Sequence, residues 1–323
     1  MNGTMIARRG VLNGAALALL SATVGGRESR AQAVPNSSGA EAPMLKAPAH
    51  ACDCHMHIYD AERFPPSRPG SRLQTGAAVP EYRLHQQRIG TTRTVVVTPA
   101  VYVTDNRVTL DAISQLGDNA RGVAVVHPTV TDAELKALAA GGIRGIRFTQ
   151  FDPATAVTTL DMIAPLSKRV NDLGWHVQIH MRGDQIVAAA DLWPRLPSAI
   201  VFDHLGRLPH PAGIDHPAFA IIRGLIDKGR TWVKLSGAYL DTKVGAPSYA
   251  DATKVALAFV SAAPSAWSGA ATGRIQPKPA RTSQTTPCCS ICSRNGPPTS
   301  GPAIASWSTT RRRSTASQNH DDS

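Results

Sequence analysis

The chain has 323 residues, enough for one large domain or two ordinary ones, and its 42% hydrophobic and 18% charged content is that of a globular protein. The formal charge of +11 raises the question of a nucleic-acid partner, but residues 1–33 carry +3 of it and residues 265–323 carry +5. The middle of the chain keeps an ordinary +3 and no basic stripe interleaved with aromatics, which argues against a nucleic-acid partner.

In chain order, the N-terminus comes first. Arg8 and Arg9 precede a short apolar stretch, and Ala31-Gln32-Ala33 fits an A-x-A cleavage pattern. Residues 1–33 therefore read as a twin-arginine-type export signal, with an ordinary secretory signal as the alternative, and the expected location is periplasmic. The apolar stretch is short and contains glycine, so no stable membrane anchor is expected. Residues 34–49 read as a disordered linker.

From residue 50 to 264 short apolar runs alternate with amphipathic segments. The predicted strands are 51–57, 92–99, 121–128, 142–148, 175–181, 198–206 and 231–237. Apolar residues at three- and four-residue spacing predict a helix over 156–174, ended by Gly174. Strands alternating with helices imply parallel βαβ units, and seven of them suggest a (β/α)8 TIM barrel with its eighth strand and helix missing. A doubly wound open sheet is the alternative, weakened because no Gly-rich phosphate loop follows the first strand.

In such a barrel, chemistry sits at the C-terminal ends of the strands. Asp53, His55 and His57 share one face of the first strand, and two imidazoles at i and i+2 can converge on one metal ion or one substrate. Cys52 and Cys54 fall on the other face and read as small buried residues rather than a disulfide. On the fifth strand His176, Gln178 and His180 point into the lumen, with His180 nearest the mouth. His204 lies at the end of the sixth strand. Arg147 and Arg207 lie close to strand ends and are candidate carboxylate forks. Lys234 is either a second anion contact or a lumen residue paired with an acid, and Arg144 reads as structural.

The stretches 53-DCHMHIYD-60, 142-GIRGIRF-148, 175-WHVQIHM-181 and 200-IVFDHLGR-207 resemble the amidohydrolase superfamily, in its amidohydrolase-2 branch, over residues 50–264. The resemblance implies His55, His57 and His180 as ligands of a divalent metal, zinc by analogy. It implies His204, with His55 and His57, as the group that polarises the substrate. Some members of the branch work without metal and lack a histidine at the fifth-strand position. The activity implied is hydrolysis of a lactone or a related ester or amide of a small carboxylate-bearing substrate, held by Arg147, Arg207 and Lys234. A metal-dependent decarboxylase on the same scaffold, a non-catalytic binding protein and a remnant without function are the alternatives.

After Pro264 the periodicity stops. The family's eighth strand resembles W-G-[ST]-D-W-P-H-P, with the Asp as acid–base residue, and nothing in 265–323 matches it. Codons compatible with residues 265–277, read in a shifted frame, spell R-L-V-W-G-S-D-W-P-H-P. The same shift over residues 286–300 can give an amphipathic helix. The region 265–323 is therefore expected to be an out-of-frame, disordered tail, and the chain as written is expected to be inactive. Neither Cys289-Ser-Ile-Cys292 nor Arg311–Arg313 then reads as a zinc or nucleic-acid site.

Overall fold

The computed structural model describes residues 34–37, 43, 46–71, 73–262 and 289–291. All seven predicted strands form: β1 (Cys52–Met56), β2 (Arg93–Val97), β3 (Ala120–Ala124), β4 (Ile143–Thr149), β5 (His176–His180), β6 (Ile200–Phe202) and β7 (Thr231–Leu235). They pair in parallel with their sequence neighbours and make a nearly closed barrel. The helices between them are α1 (Val79–Ile89), α2 (Arg107–Leu116), α3 (Asp132–Ala140), α4 (Ile163–Asn171), α5 (Gly183–Ala188) and α6 (Pro217–Asp227). After β7 come α7 (Ala238–Asp241) and α8 (Ala250–Ala262).

Local signals account for the element ends. Helix α1 has proline in its first turn and closes on Gly90 in the left-handed region. Helix α3 opens with a capping box in which Thr131 and Glu134 satisfy each other's backbone N–H. The helix expected over 156–174 is shorter: a 3-10 turn at Leu160–Met162 leads into α4, with Pro165 in the first turn, where a missing N–H breaks no helical bond.

Alternation divides the strands between two environments. Ile146, Phe148, Val177, Ile179 and Val233 pack in one core with Leu166, Val170, Ile186, Trp193 and Ile222 of the surrounding segments. Arg147, Gln178 and Lys234, of opposite phase, are buried in the lumen. The lumen floor is tight: Gly145 is the register partner of His176, and a Cβ at 145 would lie 2.4 Å from that imidazole.

The eighth position differs from expectation in one respect. No parallel eighth strand occurs among the described residues, but the tail is not wholly unstructured. A three-residue strand, β8 (Cys289–Ile291), pairs antiparallel with β7. Backbone donors and acceptors on an open strand edge recruit whatever segment can satisfy them, in either direction. The rest of 265–323, including Cys292 and Arg311–Arg313, lies outside the described residues, as does the export signal with Arg8 and Arg9.

The linker expectation also fails at residues 34–37. Val34 is buried, and Asn36 donates to the carbonyls of Thr75 (2.6 Å) and Gly76 (2.8 Å) and accepts from Gln74. A polar side chain that satisfies three partners anchors a segment whose composition alone reads as loose. Cys52 and Cys54 are buried thiols that form no disulfide. No helix among the described residues is long and apolar enough to cross a membrane.

Candidate active site

Asp203 is the hub of the lumen. It is fully buried, and its Oδ2 accepts from Arg147 Nε (2.9 Å) and Gln178 Nε2 (3.0 Å). Its Oδ1 lies 3.4 Å from His55 Nδ1 and 3.6 Å from Lys234 Nζ. Burial pushes this carboxyl upward, but Arg147, Lys234 and His55 outweigh burial and hold it well below the usual range. Asp203 is therefore a carboxylate held between two fixed cations.

Lys234 Nζ has two hydrogen-bond acceptors, Gln178 Oε1 at 2.7 Å and His55 Nδ1 at 2.9 Å, and an ion-pair contact with Asp203 Oδ1 at 3.6 Å, an oxygen that itself has no hydrogen-bond partner. An ammonium there fixes the tautomers beyond it. His55 accepts at Nδ1 and so carries its proton on Nε2, which lies 3.2 Å from His57 Nε2. His57 Nδ1 donates to the carbonyl of Val97 at 2.7 Å, which leaves its Nε2 lone pair for the His55 proton. Both rings are neutral: burial and then the Lys234 charge lower the His55 pKa well below its ordinary value, and burial with Arg147 brings His57 to about 4.

His204 arrives by an unusual backbone path. Alternation along β6 turns Asp203, not His204, into the lumen. The chain then runs through four consecutive residues with positive φ: His204 (47°), Leu205 (58°), Gly206 (66°) and Arg207 (48°). Three of these are not glycine, and each costs on the order of 1–2 kcal/mol. The turn swings His204 back over the barrel mouth, where its Nδ1 sits 2.7 Å from Ser236 Oγ and its ring 4.8 Å from that of His55. Gly237 makes room, since a Cβ there would lie 3.2 Å from the His204 ring. Burial, followed by Arg147 and Lys234 acting against Asp203, brings His204 to about 3.

His55, His57 and His204 all line a cavity of about 1090 Å³, bounded also by Asp53, Tyr59 and Ser236. Its lining comes mainly from β1, α1 and the segment that follows β7.

His180 lies edge-on to His204, ring centres 5.6 Å apart, but is not among the residues that line the cavity. Its Nε2 accepts from Arg207 Nη1 at 3.0 Å, and its ring stacks on Phe151 at 5.4 Å. The fork of Arg207 is itself engaged: Nε and Nη2 bind Asp241 at 2.7 and 2.8 Å.

The chain matches the amidohydrolase family model over residues 52–265. It belongs to the amidohydrolase family. This amidohydrolase is 33% identical over 197 residues to a 2-pyrone-4,6-dicarboxylate hydrolase of Comamonas testosteroni, covering 60% of the chain and 64% of that relative's length. It is 32% identical over 228 residues to a 4-sulfomuconolactone hydrolase of Rhizobium radiobacter, covering 67% of the chain and 73% of the relative. Among solved structures it resembles an apo protein of Agrobacterium tumefaciens, with TM-score 0.63, 26% identity and 70% and 79% of the two chains covered. It also resembles a protein of Acinetobacter baumannii described as a probable 2-pyrone-4,6-dicarboxylic acid hydrolase, with citric acid bound, with TM-score 0.58, 26% identity and 66% and 79% covered.

The family often uses a metal, so the donors matter. His55, Asp203 and His204 form a group that could hold an ion, their ligand atoms lying within 4.8 Å of one another. The trio expected from sequence, His55, His57 and His180, is not assembled. His55 and His57 satisfy each other, Lys234 and Val97, while the Nε2 of His180 is taken by a guanidinium. Asp203, in turn, is already neutralised by Arg147 and Lys234. In this arrangement the expected trio does not fit a resident dication, whereas the His55–Asp203–His204 group keeps one donor, Asp203 Oδ1, without a hydrogen-bond partner.

The other expected roles divide. His204, His55 and His57 come together on the cavity. Arg147 and Lys234 are paired with Asp203, so Lys234 takes the acid-paired role of its two sequence readings. Arg207 binds Asp241 rather than presenting an open fork. Sequence reasoning missed Asp203, Ser236 and Asp241. The signal for Asp203 was present, since it precedes His204 in lumen phase on β6.

Proposed function

We propose that this amidohydrolase scaffold hydrolyses the lactone of a small carboxylate-bearing substrate by attack of water on the ring carbonyl. One observation carries the reading: His55, His57 and His204, all neutral, converge on one cavity at the barrel mouth above a buried pair of cations sharing a single carboxylate. The carbonyl oxygen would take the hydrogen bond of His55 Nε2–H in place of His57, and His204, held by Ser236, would complete the donor set. The two cations exceed the single charge of the Asp203 carboxylate they share, which favours an anionic substrate group near them. The relatives' names, a pyrone dicarboxylate hydrolase and a sulfomuconolactone hydrolase, support the same substrate class. The zinc implied by resemblance is not carried into this reading, because the expected ligands are spent on other partners.

Neutral histidines with pKa values of about 3 and 4 are weak bases for a water molecule. Asp203, paired twice over, is no better. The acid–base Asp belongs to the eighth strand in the shifted reading frame, and the chain as written lacks it. We therefore infer that this polypeptide turns over negligibly and that a frame-restored chain is a lactone hydrolase. Both chains, purified and assayed with 2-pyrone-4,6-dicarboxylate and a panel of anionic lactones, test this. Hydrolysis by the restored chain, lost in His204→Ala, is the expected result. Release of carbon dioxide without ring opening would favour a decarboxylase, and binding without turnover would favour a binding protein. Comparable turnover by the chain as written would overturn the assignment of the missing base.

A further inference from the structure

The Asp241–Arg207–His180 chain has a consequence fixed by stereochemistry. A guanidinium only donates hydrogen bonds. Arg207 Nη1 lies 3.0 Å from His180 Nε2, so Nε2 must be the acceptor, and the ring proton must sit on Nδ1. Asp241 holds both remaining edge nitrogens of Arg207 in a bidentate pair, and Phe151 lies 3.9 Å below the guanidinium carbon. The guanidinium therefore cannot turn to free Nε2.

The proton on His180 Nδ1 is buried and meets no acceptor. Thr149 is the direct register partner of His180 on β4, and its Oγ1 is likewise buried without a hydrogen-bond partner. Thr149 lies two residues beyond Arg147, so it shares the lumen phase. Two unspent donors thus stand on neighbouring strands, roughly 4.8 Å apart at the backbone, between Arg147 and Arg207. Donors on adjacent strands can serve the two oxygens of one carboxylate.

We propose that Asp241 and Arg207 lock His180 as an Nδ1–H donor, and that His180 and Thr149 form a subsite for a carboxylate of the substrate. The subsite rests on the reading of the cavity as a lactone-hydrolase site; the lock does not. Arg207 is here a positioning residue, acting on substrate through His180.

Nitrogen-15 NMR of the full chain with labelled histidine tests the lock without ligand, the His180 signals being assigned by their loss in His180→Gln. A protonated Nδ1 and a lone-pair Nε2 near neutral pH, unmoved by added zinc, are expected. Protonation at Nε2, an imidazolium, or a zinc-induced shift at Nε2 would overturn the lock. In Arg207→Leu the tautomers should mix, and Arg207→Lys, which keeps a donor, should hold the original one. An unchanged tautomer in Arg207→Leu would overturn the role of Arg207. Added 2-pyrone-4,6-dicarboxylate at millimolar concentration should then shift the Nδ1 proton, and Thr149→Val should weaken binding severalfold. Binding that moves His55, His57 or His204 but not His180 would sink the subsite alone. No response from any histidine would sink the subsite together with the substrate reading, and the lock would still be judged by the ligand-free spectrum.

Discussion

Replacing Asp203 by Asn isolates the electrostatics that organise the lumen. The substitution keeps the shape and removes one charge at a fully buried position. Arg147 Nε at 2.9 Å and Lys234 Nζ at 3.6 Å then lose their counter-ion. At an effective dielectric of about 20 those two attractions amount to roughly 6 and 5 kcal/mol before desolvation is counted. Desolvation of Asp203 itself is recovered, so the net loss should fall near the 3–5 kcal/mol typical of a broken buried pair. Urea denaturation followed by circular dichroism reads this directly. A second signature concerns pH. Without Asp203 the folded-state pKa of Lys234 drops further below its unfolded value, so the unfolded chain binds more protons across that window. Stability of the variant should then rise with pH above neutrality, while the parent stays flatter. Adding Lys234→Met should recover part of the loss, since it removes one stranded cation. A single-variant cost below about 1 kcal/mol, or no recovery in the double variant, would refute the view that Asp203 neutralises two buried cations.

Other consequences are open to test. His57 and His176 sit near pKa 4, His204 near 3 and His180 near 2, burial being the largest cause in each case. Between pH 6.5 and about 4 the unfolded chain therefore binds more protons than the folded one. Stability should fall as pH drops through that window, by about 1.4 kcal/mol per pH unit for each such histidine; a flat acid limb in denaturation curves would contradict the buried neutral rings. Gly145→Ala places a methyl 2.4 Å from the His176 ring and should cost on the order of 1–3 kcal/mol, relieved by His176→Ala; additive losses in the pair would show that the contact is not the cause. A reporter fused to residues 1–33 should reach the periplasm only with Arg8 and Arg9 intact, and export of an Arg8→Lys/Arg9→Lys fusion would argue for the ordinary secretory route.

Much of the scaffold was legible because β-periodicity and helix caps are local. Trp175 to Met181 alternates so cleanly that it placed His176, Gln178 and His180 on one face, and the structure keeps them there. What the sequence could not show is which partners spend those side chains. Lys234 reads as an anion contact or an acid partner until Asp203 is seen 3.6 Å away, across 31 residues of chain. His180 reads as a ligand until Arg207 is found on its Nε2. Arg207 reaches it only because the backbone takes a left-handed path from His204 to Arg207. Propensity does not anticipate three non-glycine residues in that region. The path is strained, and it is where the site departs from strand alternation.

The seam between β1 and β7 ties the tail to the chemistry. β8 runs against β7, with Cys289 opposite Leu235 and Ile291 opposite Val233. β8 thus runs from the mouth side of β7 toward the floor. A parallel eighth strand would ascend, ending at the mouth beside His55 and His204, and only that direction brings an end-of-strand side chain to the cavity. Three residues also leave β1 without a partner on its outer edge among the described residues. Restoring the reading frame should therefore do two separable things: close the edge and supply the acid–base carboxylate. Hydrogen exchange separates them. Amides of β1 that face the seam should exchange quickly in the chain as written and become protected in the restored chain. They should stay protected when the restored strand's Asp is changed to Asn, while turnover is lost. Slow exchange at β1 in the chain as written would mean that its edge is already closed, and the inactivity proposed for this chain would then rest on the missing carboxylate alone.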